Sequence, residues 1–351
     1  MTNLTLAPNL PLPYTQDWDL NVQRSLGQNL LLEVGYVGTK GTKLPRMIEG
    51  NPTVYIPGQS TTDNVDQRRI HSGCTVGEPE SACEYASTGL ISGVANSSYN
   101  ALETSLRKRF SGGLSFLASY TYSKAIDDVS SFNISGSGSI QVAGENDLAQ
   151  NPRNLAAERG PSLFDARHRL VFSYQWSLPF WQHQRNWYEH VLGGWQLNGI
   201  VTAMSGTPFT VFDSQDASVQ GSAPEITGFS ANRPNLVAGQ DPNHGPRKVG
   251  AWLNAAAFSR VVPNINSAVQ QFGSAGRNIA LGPRDTNWDF AAAKDIRLTE
   301  STNLQFRAEL FNVLNHTNFH LPNSDISSPT FNQILKAEPP RLIQLALKLN
   351  F

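Results

Sequence analysis

Arg341-Leu-Ile-Gln-Leu-Ala-Leu-Lys-Leu-Asn-Phe351, the last eleven residues of the chain, decide the fold class. Five apolar residues lie two apart, a spacing that places them on one face of a strand: Ile343, Leu345, Leu347, Leu349 and Phe351. Gln344, Lys348 and Asn350 point to the other face, with Ala346 among them. The alternation predicts a strand with one apolar face, which a half-buried strand of a soluble protein can also show.

The composition is typical of a turn-rich all-β chain. The 351 residues include 28 glycines and 21 prolines, and charged residues make up 16% with a net charge of -1. Nothing indicates a nucleic-acid partner, which would favour a basic stripe. No run approaches the roughly 18 apolar residues of a spanning helix. A membrane-spanning strand needs only about ten residues of alternating hydrophobicity, so a β-barrel remains compatible with the sequence.

The two-residue spacing of apolar residues at the end of the chain recurs in earlier segments. It predicts nine strands. They are 14–24, 29–37, 99–110, 113–123, 167–178, 194–204, 286–298, 303–313 and 341–351. Helical periodicity does not compete in any of them. The sequence therefore predicts an all-β, antiparallel, up-and-down fold.

Short and long connections alternate between these strands. The short ones lie at 25–28, around 111–112, at 179–193 and at 299–302, and the long ones are 38–98, 124–166, 205–285 and 314–340. A compact soluble domain rarely holds several irregular loops beyond about 15 residues. Outer-membrane barrels have short periplasmic turns and long outer loops. A soluble sandwich with large insertions is the alternative, and a further hairpin near 209–212 would add two strands.

The strand count also predicts a topology. If 341–351 descends towards the periplasm, every odd-numbered strand descends, including the first. A complete bacterial barrel has an even number of strands and begins in the periplasm. Residues 1–20 lack a basic start, an apolar core and a small-residue cleavage site, so they are not a secretory signal. We expect the chain to be the C-terminal part of a larger barrel, exported by means of a missing N-terminal part.

Several stretches resemble one family. They are Ser98-Tyr-Asn-Ala-Leu-Glu-Thr-Ser-Leu-Arg-Lys-Arg-Phe110, Ser119-Tyr-Thr-Tyr-Ser-Lys-Ala-Ile-Asp-Asp128, Asn154-Leu-Ala-Ala-Glu-Arg-Gly-Pro-Ser-Leu-Phe-Asp-Ala-Arg-His-Arg169, Gly276-Arg-Asn-Ile-Ala-Leu-Gly-Pro283, Asn287-Trp-Asp289 and Leu304-Gln-Phe-Arg-Ala-Glu-Leu-Phe-Asn-Val-Leu-Asn-His316. Together they resemble the C-terminal barrel of Oar-like TonB-dependent transporters of acidobacterial type. Residues 341–351 resemble the terminal strand that the barrel-assembly machinery reads as a signal in bacterial outer-membrane barrels.

The resemblance implies a barrel of about 22 strands with an internal plug. The chain, 1–351, would then be one partial β-barrel domain of about nine to eleven strands without a plug, located in the bacterial outer membrane and surrounded by its lipid. It would be part of a receptor that imports a large solute and depends on the missing plug and barrel half and on the TonB system. A surface-exposed adhesion or interaction protein that presents the long loops is the alternative. We expect no enzyme activity, because no GxSxG motif is present.

Six aromatic residues near the predicted strand ends are candidates for the girdles that mark the two membrane interfaces. They are Tyr36, Tyr120, Tyr122, Trp176, Trp195 and Trp288. The alternative is that they are ordinary core aromatics.

Charged residues alternate with apolar ones on two of the predicted strands. They are Glu103, Arg107, Arg109, Arg307 and Glu309. A charge that faces lipid near the midplane costs roughly 2–4 kcal/mol, so we expect these side chains to face the lumen. There they would contact the plug, line a solute path, or face water without a specific ligand.

The remaining candidate chemistry is sparse. Cys74 and Cys83 are the two cysteines of the chain, and their nearness in an oxidising location predicts a disulfide, with two free thiols as the alternative. His316 and His320 have the spacing of a helical metal pair but follow a strand, so we expect no metal site. No cofactor is expected, because the phosphate-binding GxxxxGK[ST] order is absent.

Overall fold

The computed structural model describes residues 3–130, 148–180, 191–221, 232–297, 299 and 302–351. The strands are β1 (Asn3–Leu6), β2 (Tyr14–Ser25), β3 (Leu30–Glu49), β4 (Thr88–Ser111), β5 (Leu114–Asp127), β6 (Gly160–Pro161), β7 (His168–Ser177), β8 (Trp195–Met204), β9 (Pro208–Phe209), β10 (Asn235–Leu236), β11 (Phe258–Ser259), β12 (Ala280–Leu281), β13 (Asp285–Arg297), β14 (Asn303–Phe311) and β15 (Leu342–Asn350). Four short 3-10 helices span Asp66–Arg68, Glu80–Ala82, Leu155–Glu158 and Ala255–Ala257. In the described ranges, no helix has the length and apolar character needed to cross a membrane.

The nine long strands form one antiparallel meander in the order β2-β3-β4-β5-β7-β8-β13-β14-β15. This confirms the nine predicted strands and the all-β, up-and-down fold. Two short strands extend the same sheet, β1 parallel to β4 and β6 antiparallel to β5. Within the described part of the chain, β2 and β15 each have one neighbour, so the sheet is open. Parts of the predicted connections 124–166, 179–193, 205–285 and 299–302, and residue 298 at the end of a predicted strand, lie outside the described residues.

The hairpin of β3 and β4 is longer than predicted from the sequence. The loop between these two strands is 50–87 in the structure, whereas 38–98 was predicted. Pairing is interrupted between Gly41 and Leu44 and then resumes as far as Glu49 opposite Gly89. Lys43 within the interruption has a positive φ of 56°. Because an extra residue breaks the alternation, the period of two does not show that the strand continues.

The tight turn between β4 and β5 depends on two glycines. Gly112 and Gly113 have φ angles of 61° and 81°. This left-handed region is accessible to glycine without strain, and two-residue hairpin turns require it. The tight turns lie at one end of the sheet, called here the turn end, and the long connections lie at the opposite, loop end.

The strand register places the apolar side chains on one face of the whole meander. One row of paired residues runs through Leu20, Tyr36, Leu102 and Tyr122, and another through Ile296, Leu304 and Leu349. This face is uncovered, and Leu345 and Leu347 are 67% and 69% exposed. Contiguous apolar surface of this extent is rare on a soluble monomer. The apolar face therefore requires apolar surroundings.

The hydrophobic core lies in the long connections rather than against the sheet. The described parts of 50–87, 128–167, 205–284 and 312–341 pack together and are called here the loop cap. Its core cluster consists of Phe209, Val211, Leu253, Ala257, Phe258, Ala275 and Ala280. The possible further hairpin near 209–212 is not found in the described residues, because β9 pairs with the distant β12, with Phe209 opposite Ala280.

Truncating the centre of this core should loosen the loop cap. Phe209 is fully buried, so Phe209→Ala is expected to destabilise the cap by about 3–5 kcal/mol through lost burial and a cavity. Hydrogen exchange of cap amides, read by mass spectrometry, measures the change. Phe164→Ala is the control, because Phe164 is 70% exposed and its loss should stay within about 0.5 kcal/mol. Equal protection in both variants would contradict a cap with its own core.

Candidate functional site

The face of the sheet opposite the apolar one is polar, and it carries the charges singled out in the sequence. Glu103 on β4 lies opposite Gly35 and Thr121. Arg307 on β14 lies opposite Ala293 and Ala346.

The register extends this polar face to the remaining candidate charges. Glu309 is paired with Ala291 and Gln344, and Arg107 with Leu31 and Leu117. Arg109 has the same strand parity as Arg107 and lies beside the register shift that precedes the turn. All five charges therefore belong to one surface, although they come from the two halves of the meander.

The best-defined contact on this polar face is an ion pair within β14. Arg307 donates to Glu309 at 2.5 Å, and its side chain is 47% exposed. Gln305 on the same strand donates to Asp295 at 3.0 Å. Exposed pairs of this kind contribute about 0–1 kcal/mol to stability, so these groups are available to water and solutes.

The loop cap is attached to the polar face by a buried ion pair. Asp127, the last residue of β5, pairs with Arg277, and both side chains are buried. Arg277 also donates to the backbone carbonyls of Asp127 and Glu158, both at 2.7 Å. One guanidinium therefore joins the end of a sheet strand to two segments of the cap.

A second buried pair lies next to the first. Arg233 donates to both carboxylate oxygens of Glu158 at 2.7 and 3.0 Å, and to the carbonyl of Ala275 at 2.9 Å. The two side chains are 6% and 3% exposed. A bidentate arginine–carboxylate contact fixes both the distance and the relative orientation of the two side chains. It therefore helps to specify how segment 148–180 packs against segment 232–284.

Two more arginines order the loop between β3 and β4. Arg69 lies 2.6 Å from Asp66 and 3.4 Å from Glu49. Arg68 donates to Asn64 and to three carbonyls, including that of Val219 at 2.6 Å. Burial lowers the pKa of Arg68, and Asp216 partly offsets this effect. These contacts connect 50–87 to 205–221.

The candidate cysteines are bonded to each other, and the two candidate histidines each contact one nearby polar side chain. Cys74 and Cys83 form a disulfide within the loop between β3 and β4. The Nδ1 atom of His316 lies 3.1 Å from Asn318, and the Nε2 atom of His320 lies 3.2 Å from Glu338. In the ranges that the structure describes, no group of three or more His, Cys, Asp or Glu residues is placed to hold a metal.

The sequence did not predict the buried arginines as a set, although the stretches that resemble the family contain several of the residues that they contact. Asp127 lies in 119–128, Glu158 in 154–169 and Arg277 in 276–283. The stretches that resemble the family therefore include three of the residues whose contacts connect the loop cap to the sheet. Arg233, which completes the arrangement, lies outside every quoted stretch.

Comparison with protein families agrees with this geometry. Residues 2–344 match the outer membrane beta barrel domain family. The chain belongs to this family. The barrel fold class and the outer-membrane location are thereby confirmed, and the uncovered apolar face of the meander is the lipid-facing surface of an outer-membrane β-barrel.

Solved outer-membrane proteins are similar to the chain at low identity. The transporter YddB from Escherichia coli is 10% identical with a TM-score of 0.46, over 97% of this chain and 33% of that one. The ferric preacinetobactin receptor BauA from Acinetobacter baumannii is 10% identical with a TM-score of 0.42, over 96% and 29%. The pyoverdine receptor FpvA from Pseudomonas aeruginosa is 11% identical with a TM-score of 0.42, over 97% and 30%. The chain thus spans about a third of the length of these proteins. No curated protein matches the chain.

The lipid-facing surface of this barrel sheet carries all six candidate girdle aromatics. Trp176 and Trp195 lie at the turn end, and Trp288 lies near the loop end. Tyr36 is in the middle of its strand rather than at its end, because β3 continues to Glu49. The Tyr36 hydroxyl donates to Asn100 at 2.7 Å. The two aromatic girdles stay a prediction.

Lys294 is one of the charged residues with the strand parity of this lipid-facing surface, and it lies opposite Trp195 and Phe306. Its ammonium group donates to the carbonyls of Val191 and Gly193, both at 2.8 Å. It lies 5.5 Å from the centre of the Trp195 ring. The charge is therefore held at the turn end, where the chain leaves the sheet.

Removing the carboxylate of the buried Glu158–Arg233 pair tests whether this pair stabilises the loop cap. Glu158→Gln leaves the Arg233 guanidinium buried without a counter-charge, which should cost about 3–5 kcal/mol. Hydrogen exchange of amides in the cap, measured at neutral pH, reports the loss. Glu309→Gln breaks the exposed pair with Arg307 and should cost at most about 1 kcal/mol. Similar exchange rates for the two variants would refute the structural role of the Glu158–Arg233 pair.

Proposed function

We propose that the chain is the C-terminal barrel portion of an Oar-like, acidobacterial-type TonB-dependent receptor that imports a large solute. In this proposal the loop end faces the outside of the cell and the turn end faces the periplasm. The observation that supports this proposal is the open meander of nine described strands. Its odd number of strands and its two unpaired edge strands both indicate that further strands complete the barrel.

The strand parity of the described meander argues against closure by simple antiparallel pairing. Each of the nine long strands that the structure describes is antiparallel to its neighbours, so β2 and β15 run in the same direction. Bacterial single-chain barrels have an even number of antiparallel strands. An odd number of additional strands would complete such a barrel. This supports a larger barrel, of which the described meander is one part.

The two edge strands support the same proposal. All residues of β2 and of β15 are exposed. Open sheet edges do not occur against lipid, because each unsatisfied backbone group there costs several kcal/mol. Both edges therefore need partner strands, which the other barrel half would supply.

The polar face would line the solute path of the completed barrel. Glu103, Arg107 and Arg109 would face Arg307 and Glu309 across part of the lumen, and the loop cap would cover the outer mouth. A barrel much wider than about eight strands leaves a channel unless it is plugged. We therefore infer that transport requires an internal plug and the TonB system, with an iron chelate, an oligosaccharide or a peptide as solute.

Assembly of the barrel would depend on β15. Its outward-facing residues Ile343, Leu345, Leu347 and Leu349, with Phe351, form the motif proposed as the signal for the barrel-assembly machinery. All of these side chains are more than half exposed, so they are accessible to a partner before the barrel closes.

Cysteine cross-linking tests the proposed larger barrel. Asn21→Cys on β2 is combined in turn with Gln344→Cys, Ala346→Cys and Lys348→Cys on β15, all on the polar face. No cross-link is expected, because other strands separate these edges. Gln305→Cys with Lys348→Cys is the matched control, since these two residues lie directly opposite each other, and it should form a disulfide. A β2–β15 cross-link in folded protein in membranes would sink the proposal.

Uptake measurements test the function itself. Disrupting the coding sequence of the chain in the bacterium should abolish uptake of one class of large solute. The same uptake should stop when the proton-motive force is collapsed. Unchanged uptake together with reduced attachment to surfaces would favour the alternative role in adhesion.

A further inference from the structure

A cavity of about 660 Å³ lies at the loop end of the sheet, where β7, β8 and β13 meet the cap. The residues that matter for its chemistry are Arg167, His168, Arg247, Trp252, Arg284 and His316. None of the five charges singled out on the polar face lines it.

Two residues that line the cavity have the strand parity of the lipid-facing side of the sheet. His168 lies opposite Tyr122, which belongs to the apolar face, and its Nδ1 atom is 2.8 Å from the Tyr120 hydroxyl. Arg284 precedes Asp285, which lies opposite Met204 on the polar face. By strand alternation Arg284 is directed to the same side as His168.

The cavity has an excess of positive charge. The single carboxylate among its described lining residues is Asp165, which lies 3.4 Å from Arg167 and accepts the backbone N–H of Ala125 at 2.7 Å. Among these lining residues, Arg247 and Arg284 are left without a carboxylate partner. The cavity therefore presents two guanidinium groups whose charge the lining does not neutralise.

Arg247 is held in place before any ligand arrives. It donates to the carbonyls of Leu281 at 3.0 Å and Asn243 at 2.7 Å, and it lies 5.0 Å from the centre of the Trp252 ring. Burial lowers the pKa of Arg247, nearby Asp241 raises it, and Arg284 lowers it further. The last effect shows that the two guanidinium groups act on each other as like charges.

Two neighbouring guanidinium groups beside apolar residues fit a phosphate group. Arginine matches phosphate geometry with paired donors, and its weak hydration permits binding beside aromatic surface. Basic pockets at the membrane boundary recognise anionic lipid headgroups by the same chemistry. Leu281 and Phe319 line the cavity and could contact the carbon skeleton that carries the phosphate.

We propose that this cavity binds a phosphate group on the headgroup of an outer-leaflet glycolipid. The proposal rests on the orientation proposed above, with the loop end outside, and does not depend on transport. A lipid is favoured over free phosphate because His168 and Arg284 have the strand parity of the side that faces the membrane. Bound lipid would contact Arg247 within the cap and Arg284, the cap residue directly before β13, and so hold the cap against the end of the sheet.

Lipid binding by the full chain in detergent micelles tests the site. The probes are a bisphosphorylated bacterial glycolipid, the same lipid after enzymatic dephosphorylation, and inorganic pyrophosphate. Arg247→Gln combined with Arg284→Gln should weaken binding of the phosphorylated lipid by about tenfold or more, because both charge-assisted contacts to the phosphate are lost. Lys248→Gln combined with Lys336→Gln removes the same charge from exposed cap residues that do not line the cavity, and it should bind as the original chain does.

The outcomes separate the possible sources of the phosphate. Equal binding by both double variants, or equal binding of the dephosphorylated lipid, would overturn the proposal. Displacement of the lipid by low concentrations of pyrophosphate would assign the site to soluble phosphates instead. Because Arg247 also contacts backbone carbonyls, Arg284→Gln alone is measured in parallel, with folding checked by circular dichroism. A folded single variant with full lipid affinity would equally overturn the proposal.

Discussion

Backbone N–H and C=O groups that face hydrocarbon must be hydrogen-bonded within the protein, because lipid offers them no partner. In this chain the antiparallel ladder meets that requirement for seven interior strands, from β3 to β14, and leaves one side of β2 and one side of β15 open. The ladder also fixes the register, and a slip by one residue would exchange the two faces of a strand. The continuous apolar face, the polar face behind it and the need for additional strands all follow from this one constraint.

Because the apolar face of the sheet contacts lipid and the other face is polar, the sheet offers no apolar surface on which the loops can pack. The long connections therefore contain a core of their own, centred on Phe209, Val211 and Leu253. Buried arginine–carboxylate pairs determine which segments meet, because an arginine in the wrong place would be a buried charge without a partner. The pair of Asp127 and Arg277 then connects that independent core to the end of β5. The cap is thus an ordered part of the molecule whose position relative to the sheet is set mainly by polar contacts.

The sequence predicted what depends on local pattern. All nine long strands were found because alternation is visible within about ten residues, and the nine-residue spacing of Cys74 and Cys83 made the disulfide a natural expectation. The extension of β3 and β4 was missed because the irregularity at Gly41–Leu44 interrupts the alternation. The contacts of the cap were missed because they join distant residues, such as Arg277 and Asp127, which are 150 residues apart. No local periodicity reports a pairing of that range. The stretches that resemble the family contain Asp127, Glu158 and Arg277, but nothing in their local pattern shows that these three residues meet in the structure.

Lys294 shows why the position of a residue along a strand matters as much as the face that it occupies. Alternation alone places an ammonium group on the lipid-facing surface, where a midplane charge costs roughly 2–4 kcal/mol. In the structure the side chain is 5% exposed and its charge is directed to the carbonyls of Val191 and Gly193 at the turn end, beside the Trp195 ring. Near an interface the cost of a charge falls towards about 0–1 kcal/mol, and two carbonyl acceptors with an aromatic face offset it further. Lys294 therefore joins the turn end of β13 to the connection between β7 and β8, because its ammonium group satisfies two backbone carbonyls of that connection.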